Sequence, residues 1–377
     1  MKLIHTSDWH FGMPLGTGSY AADQRHFLQQ LYDLIETEQV GAVLLSGDVF
    51  DSALVNADAI GLYNEAVTKI CLELNCPMIV IAGNHDSAPR LASCRELLKG
   101  AGLYVTGRLE RDPQPVLLDG GKVAVYSLPF FGKEEVMALY PEKKGEIRSQ
   151  ETAMMAVCDR IRETMDPAKY NIVLFHALVV NAEVSESDRS ARVGFATAVS
   201  KDVFAGFDYA ALGHIHKPQV ISDRVRYSGS PLKYSFGSEE KQEKGVVLLD
   251  TDTGEQTFVP FAPLHERRSV TGTLEELLAR EDIREDYLRL HVLDRYAGLD
   301  LISQLREQFP NLLEVTGMAI SEGESISALS VEQLQTMDET DIMEKFMAEN
   351  FQYNLTEDQR ELFRAVLEWS REEGDLG

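Results

Sequence analysis

Short apolar, β-rich runs recur along the first 260 positions, each followed by a polar loop and often by a stretch with helical spacing. Leu3–Thr6, Ala42–Leu45, Met78–Ala82, Val123–Tyr126, Ile172–Phe175 and Tyr209–Leu212 are apolar at successive rather than alternate positions. That pattern predicts strands covered on both faces, and strands alternating with helices predict an α/β domain. Between the second and third runs, Ile60, Tyr63, Val67, Ile70, Cys71 and Leu74 fall at helical spacing. Asp58 lies in the first turn of that segment, where a carboxylate favours the helix N-terminus. Leu62 and Ala66 add a second stripe. A helix packed on the sheet is expected, with contact between two copies as the other use of the extra stripe.

Beyond Pro263 the pattern changes. Leu274–Leu278 reads as helix, Tyr287–Val292 as an alternating strand, and Leu299–Phe309 as a helix stopped by Pro310. This predicts a small α+β domain over 264–320 after a larger one over 1–263. In the remainder, 321–377, Ser330-Val331-Glu332-Gln333 and Thr356-Glu357-Asp358-Gln359 are helix-capping signatures. Ile342, Met343, Phe346 and Met347 form one apolar stripe there, and Leu362, Phe363, Val366 and Leu367 another. A C-terminal tail of two amphipathic helices, each with a face to bury, is the expectation.

Composition narrows the classes. The 377 residues carry 61 acidic against 36 basic side chains, a formal charge of −25, which argues against a protein that coats DNA through a basic surface. From Met318 onward there are 15 acidic residues against four basic ones, so the last sixth of the chain holds nearly half of that charge. No window approaches the roughly 18 apolar residues of a membrane span, and neither secretion nor insertion is expected. Cys71, Cys76, Cys94 and Cys158 form no C-x-x-C and no zinc spacing, so they are read as reduced packing residues in a cytosol.

The chemistry lies where the polar residues sit relative to the strands. Asp8-Trp9-His10 follows the first run, Gly47-Asp48-Val49-Phe50-Asp51 the second, Gly83-Asn84-His85-Asp86 the third, His176 the fifth and Gly213-His214-Ile215-His216 the last. Loops beyond the carboxyl ends of strands in an open α/β sheet converge on one crevice, so these groups can meet although they span 200 residues. Oxygen and imidazole donors together suit a transition-metal site, for Mn²⁺ first and for Fe²⁺ or Zn²⁺ as alternatives. Any one block alone is unremarkable as a cap or a surface turn. Three adjacent polar residues directly after a buried strand, as in Asn84-His85-Asp86, serve no packing purpose.

This set of blocks resembles the calcineurin-like metallophosphoesterase superfamily, whose fold is two packed mixed sheets flanked by helices. Within it, Thr6-Ser7-Asp8-Trp9-His10, the block from Phe207 to His216, and Tyr227-Ser228-Gly229-Ser230-Pro231-Leu232-Lys233-Tyr234-Ser235 are similar to the SbcD family of bacterial nuclease subunits, over roughly residues 1 to 320. The small domain corresponds to that family's capping domain. The resemblance implies two divalent ions, Mn²⁺ first: one held by Asp8, His10 and His216, a second by Asn84, His176 and His214, with Asp48 bridging. His85 would face the scissile phosphate without binding metal. Asp86 would either keep His85 charged or cap a helix.

Archaeal and eukaryotic relatives place a second histidine where this chain has Asp51, so a role for such a histidine has no counterpart here. The resemblance further implies an SbcC-type coiled-coil ATPase partner received by the acidic tail, DNA as substrate for double-strand exonuclease and single-strand endonuclease cleavage in repair and recombination, a homodimer within a heterotetramer, and a cytoplasmic, nucleoid-associated location. A stand-alone phosphodiesterase or phosphatase on a small ester is the alternative. A dead scaffold on the same fold would have lost ligands, and none is lost. The loops Phe11 to Tyr20 and Val184 to Val199, the latter with Glu186, Asp188, Arg189 and Arg192, are read as solvated surface, with substrate contact as the other use.

Overall fold

The structure is a computed structural model and describes residues 1–16, 18–188, 198–294 and 299–317, together with Thr356, Gln359 and Arg360. Its strands, in chain order, are β1 (Lys2–Thr6), β2 (Ala42–Ser46), β3 (Met78–Ile81), β4 (Leu103–Thr106), β5 (Val116–Leu118), β6 (Val123–Leu128), β7 (Tyr170–His176), β8 (Tyr209–Gly213), β9 (Gln219–Ser222), β10 (Val225–Tyr227), β11 (Gly245–Asp250) and β12 (Gln256–Pro260). They form two six-stranded sheets, ordered β12-β11-β1-β2-β3-β4 and β9-β10-β8-β7-β6-β5. The predicted strands all form, and the fold is the expected α/β sandwich of two mixed sheets.

Both sheets are parallel at the centre. β1 runs parallel to β2, β2 to β3 and β3 to β4, while β11 and β12 close the edge antiparallel. In the second sheet β6, β7, β8 and β10 are parallel neighbours. Parallel neighbours bring their carboxyl ends to one edge, which is the edge where the polar blocks emerge.

The sheets share a seam of Leu3, Leu44, Ile79, Ile81, Val125, Ile172, Leu174, Tyr209 and Ala211. The outer face of the second sheet is covered by a helix, Gln150–Arg162, that buries Ala153, Met154, Val157, Cys158 and Ile161. Ser149 opens this helix with a reciprocal capping box to Thr152. Consecutive apolar residues in β1, β2 and β7 are therefore a consequence of being inner strands with cover on each side.

The helix after β2 differs from expectation in which face it buries. Ala57–Thr68 is capped by Asn56, whose side chain accepts from Ala59 N at 2.8 Å, and it buries Ala59, Leu62 and Ala66. Of the other stripe, Ile60 is 45 % exposed, while Tyr63 is half-buried, its ring 5.4 Å from that of Phe50 and its hydroxyl buried. A π-turn over Lys69–Glu73 then widens the spiral by one residue and brings Ile70 and Cys71 inward together. Small Ala59 and Ala66 allow closer approach than the larger stripe could. Cys71, Cys76 and Cys158 are buried as packing residues; Cys94 is exposed and is not one.

The chain divides into two compact units, Met1–Ser269 with Glu285–Leu288, and Val270–Arg284 with Arg289–Gly377. A further sheet runs through Arg267–Gly272, Tyr287–Val292 and Leu312–Gly317 in that order. In the second unit Thr273 caps the helix Leu274–Leu278 with a reciprocal bond to Glu276, and Leu301 and Leu305 are the buried residues of Leu299–Gln308, with buried Phe309 directly after it. The two tail stripes and the Ser330 signature lie outside the described residues. At Thr356 one half of the cap is present, with Thr356 N donating to Gln359 Oε1 at 3.0 Å.

Candidate metal centre

Three loops leave the first sheet at β1, β2 and β3, and they are laced together. Asp8 N donates to Gly47 O at 3.0 Å, His10 N to Asp48 O at 3.1 Å and Phe11 N to Val49 O at 2.9 Å, so the β1 and β2 loops continue the parallel pairing of their strands. The backbone is forced to turn sharply as it does so. Asp8, His10 and Asp48 hold φ of 54°, 44° and 49°, and His214 on the second sheet holds 98°. Left-handed non-glycine residues cost about 1–3 kcal/mol each and collect at functional sites. Gly83 answers another steric demand, since a Cβ there would collide with Asp48.

Asp86 has neither of its expected uses. Its carboxylate accepts from Val49 N at 3.1 Å, Phe50 N at 2.9 Å and Gly83 N at 2.9 Å, bolting the β2 loop to the β3 loop. Burial and the neighbouring Asp48 charge push its pKa up to about 6, against the pull of those three N–H groups.

The second sheet supplies the remaining groups and is tied to the first at the same edge. His214 N donates to Asp8 Oδ1 at 3.0 Å, and His176 Nδ1 donates to Ser46 O at 2.8 Å. The latter bond fixes the His176 tautomer and leaves Nε2 facing Asn84 Oδ1 at 3.0 Å and Asp48 Oδ2 at 3.3 Å. His214 Nδ1 approaches the same Asn84 oxygen at 3.0 Å. On the other side, His10 Nε2 and His216 Nε2 stand 3.1 Å apart, and His10 Nε2 lies 3.8 Å from Asp48 Oδ2.

All seven residues singled out as ligands thus converge. Asp8, His10 and His216 form one group able to hold an ion, Asp8, Asp48 and His176 another, and His10, Asp51 and His85 a third. Asp48 stands between the two imidazole sets. His85 is in reach as well, its ring 5.0 Å from that of His10 and its Nδ1 donating to Asp51 O at 2.7 Å. Asp51 therefore takes part through its carbonyl. Its carboxylate lies 3.4 Å from His10 Nδ1.

The donor set fits divalent cations. Asp8 and Asp48 are buried, at 0 % and 2 % exposure, with imidazoles as their immediate neighbours. Burial alone would raise the Asp48 pKa, but His176, His10 and His85 hold it well below the usual carboxylate range. Reciprocally, burial disfavours charge on His176, yet Asp48 and Asp8 raise it to about 9; burial likewise opposes charge on His216, yet Asp188 and Glu239 raise it to about 9. Burial, with the adjacent His176 charge, lowers His214 to about 3. His10 Nδ1 is moreover buried without a hydrogen bond. Oxygen and imidazole donors of this kind suit Mn²⁺, Fe²⁺ or Zn²⁺.

Around this centre lie residues that motif reading did not assign. Ser7 Oγ bonds Asp8 Oδ2 at 2.6 Å and Ser228 Oγ at 2.8 Å. Asp188 is buried rather than solvated, and accepts from His216 N at 3.0 Å. The Phe11 to Tyr20 loop also has buried ends, Phe11 and Tyr20. Arg189 and Arg192 lie outside the described residues. The conspicuous Tyr227 to Ser235 run was the available signal for the Ser228 contact.

Comparison with known proteins agrees with this geometry. The calcineurin-like phosphoesterase family matches residues 1–218, and the type 5 capsule protein repressor C-terminal domain, SbcD_C, matches 260–351. The SbcD component of the nuclease SbcCD from Staphylococcus epidermidis is 30 % identical over 375 residues, covering 97 % of this chain and 98 % of that protein. The protein of the same name from Staphylococcus saprophyticus is 30 % identical over 380 residues, covering 99 % and 100 %. The chain belongs to the calcineurin-like phosphoesterases and, within them, to the SbcD nuclease subunits, and it is a metal-dependent hydrolytic nuclease.

Proposed function

We propose that the chain hydrolyses DNA phosphodiester bonds at a two-ion centre, with Mn²⁺ as the working metal. Asp8, His10 and His216 hold one ion, Asn84, His176 and His214 the other, and Asp48 bridges them. The observation that carries this reading is the position of Asp48, 3.8 Å from His10 and 3.3 Å from His176 through the same Oδ2. Two cations repel unless an anion lies between them, and a desolvated carboxylate is that anion. Ions held there would acidify water and neutralise charge on the phosphoryl oxygens. His85, which also shares a possible donor group with His10 and Asp51, is given to the substrate and not to a metal. With its Nδ1–H held by the Asp51 carbonyl, His85 in its doubly protonated form would have Nε2–H left to give to the leaving oxygen as the P–O bond breaks.

By likeness to the SbcD proteins, the chain works with an SbcC-type ATPase as an ATP-dependent double-strand exonuclease and acts on single strands as an endonuclease, in DNA end processing, repair and recombination. The acidic tail, 321–377, docks the ATPase, 264–320 caps the nuclease domain of 1–263, and the chain pairs as a homodimer within a heterotetramer in the cytoplasm, at the nucleoid when acting. No described helix is long and apolar enough to cross a membrane.

The test is cleavage by the purified chain with Mn²⁺ on linear duplex, single-stranded DNA and bis-p-nitrophenyl phosphate, with and without the ATPase. Stimulation of duplex cleavage by the ATPase and ATP is expected. Hydrolysis of the small ester with no cleavage of DNA under either condition would favour the stand-alone phosphodiesterase instead. Deleting 318–377 should abolish co-purification with the ATPase while leaving single-strand cleavage; undiminished co-purification would refute the docking role.

A further inference from the structure

The run from Tyr227 to Ser235 supplies no donor atom to the centre, yet it and the segment that follows are wired into one side of it. Ser228 Oγ reaches Asp8 through Ser7, and Tyr234 Oη donates to Trp9 O at 2.6 Å, beside the strained His10. Ser230 N donates to His216 O at 3.1 Å. His216 Nδ1 is hydrogen-bonded to Ser187 Oγ at 2.8 Å, with buried Asp188 at 3.7 Å and, equally far, Oε1 of the wholly buried Glu239. Its other oxygen accepts from Tyr234 N at 2.9 Å, Ser235 N at 2.6 Å and Ser235 Oγ at 2.9 Å. Lys244, also buried, spends its three protons on Glu239 Oε1 at 2.9 Å, His216 O at 2.7 Å and Ser230 Oγ at 3.1 Å.

Burying a carboxylate and an ammonium together is costly and gains little stability over an apolar pair. Their placement against a single imidazole has another consequence. A hydrogen bond at the far nitrogen of a ligating histidine fixes the ring and negative charge behind it makes a stronger donor; at His216 the bond is to Ser187, and Asp188 and Glu239 bring the charge. His176, on the other side of the centre, has only a neutral carbonyl in that place, Ser46 O at 2.8 Å.

We propose that Glu239, clamped by Lys244, is a positioning residue for His216, and that with the Ser228–Ser7 relay onto Asp8 it sets the affinity of the subsite formed by Asp8, His10 and His216, leaving the other subsite to neutral supports. This rests on the ligand assignment proposed above. The test is Mn²⁺ binding to the full-length chain, followed by calorimetry and by electron paramagnetic resonance, beside the thermal midpoint of the metal-free protein.

Wild type should take up two ions and His216→Ala should lose one of them; failure of either control refutes the ligand assignment itself. With both met, Glu239→Gln should weaken the ion that His216→Ala removes by about 10–100-fold while the other ion holds, even though the metal-free midpoint falls because the buried Lys244 charge loses its partner. If that variant does not fold, Ser228→Ala, which strands no buried charge, decides by the same criterion with a smaller factor. Unchanged binding of both ions, or equal weakening of both, would overturn the proposal and reduce the segment to a structural staple.

Discussion

His5 and His10 come from one short stretch of chain and are equally buried, yet they occupy opposite regimes. His5 sits in the seam between the sheets, where its two ring nitrogens meet Tyr209 Oη at 2.9 Å and Leu212 O at 3.1 Å. Burial holds its pKa down, to about 3, and the ring stays neutral. His10 lies beyond the strand end, on left-handed backbone, among Asp48, Asp51, His85 and His216, with one nitrogen lacking a hydrogen bond. Burial by itself therefore does not mark a functional histidine. Strain and unsatisfied donor atoms do, because folding alone has no use for either.

The comparison can be broken by substitution on each side. At the strand ends, Asp48→Asn should lower DNA cleavage by about 10³-fold or more and weaken both ions together. Full-affinity retention of one ion would contradict the bridge. His85→Gln should cost about 10²–10⁴-fold in turnover with both ions still counted by metal analysis, and loss of an ion would make His85 a ligand instead.

In the seam, His5→Leu should destabilise by about 1–3 kcal/mol, because it strands Tyr209 Oη and Leu212 O, while activity per folded molecule is kept. Chemical denaturation beside an activity assay separates the two, and a loss of turnover beyond the unfolded fraction would erase the distinction.

The smallest effect is a pH dependence. Since the His5 pKa is depressed on folding, the unfolded chain binds its proton first. The stabilising contribution is whole above pH 6.5 and declines as pH falls toward 3, by up to about 1.4 kcal/mol per unit. The stability advantage of wild type over His5→Gln should shrink accordingly between pH 6 and pH 5, and a constant difference would show that His5 is not held neutral.

Much of the fold was legible because inner strands announce themselves as consecutive apolar residues. The edge strands Val116–Leu118 and Gln219–Ser222 carry no such signal, being covered on one face or neither. The helix after β2 is legible as a helix, but its buried face is not, since hydrophobicity favours Ile60 and Tyr63 while close packing against the sheet requires Ala59, Leu62 and Ala66. The π-turn at Lys69–Glu73 changes the phase of the spiral in a way that spacing does not reveal.

At the site, the donor residues were legible as polar blocks at strand ends, and their supports were not. Asp188 looks like a surface acid in the sequence, Asp86 like a partner of His85 or a helix cap, and Glu239 stands in no recognised block. Only the fold shows them buried, because their partners lie on other loops, as Asp86 with Val49 and Glu239 with His216.

The sequence by itself determined the α/β class, the order of the donor blocks and the charge surplus of the tail, since each depends on residue type and local spacing. Tertiary structure decided which donors share an oxygen, which acids are buried and which histidine is inert. Those properties arise where two sheets meet, and the meeting residues, such as Ser46 and His176 or Asp8 and His214, are 130 and 206 positions apart in the chain.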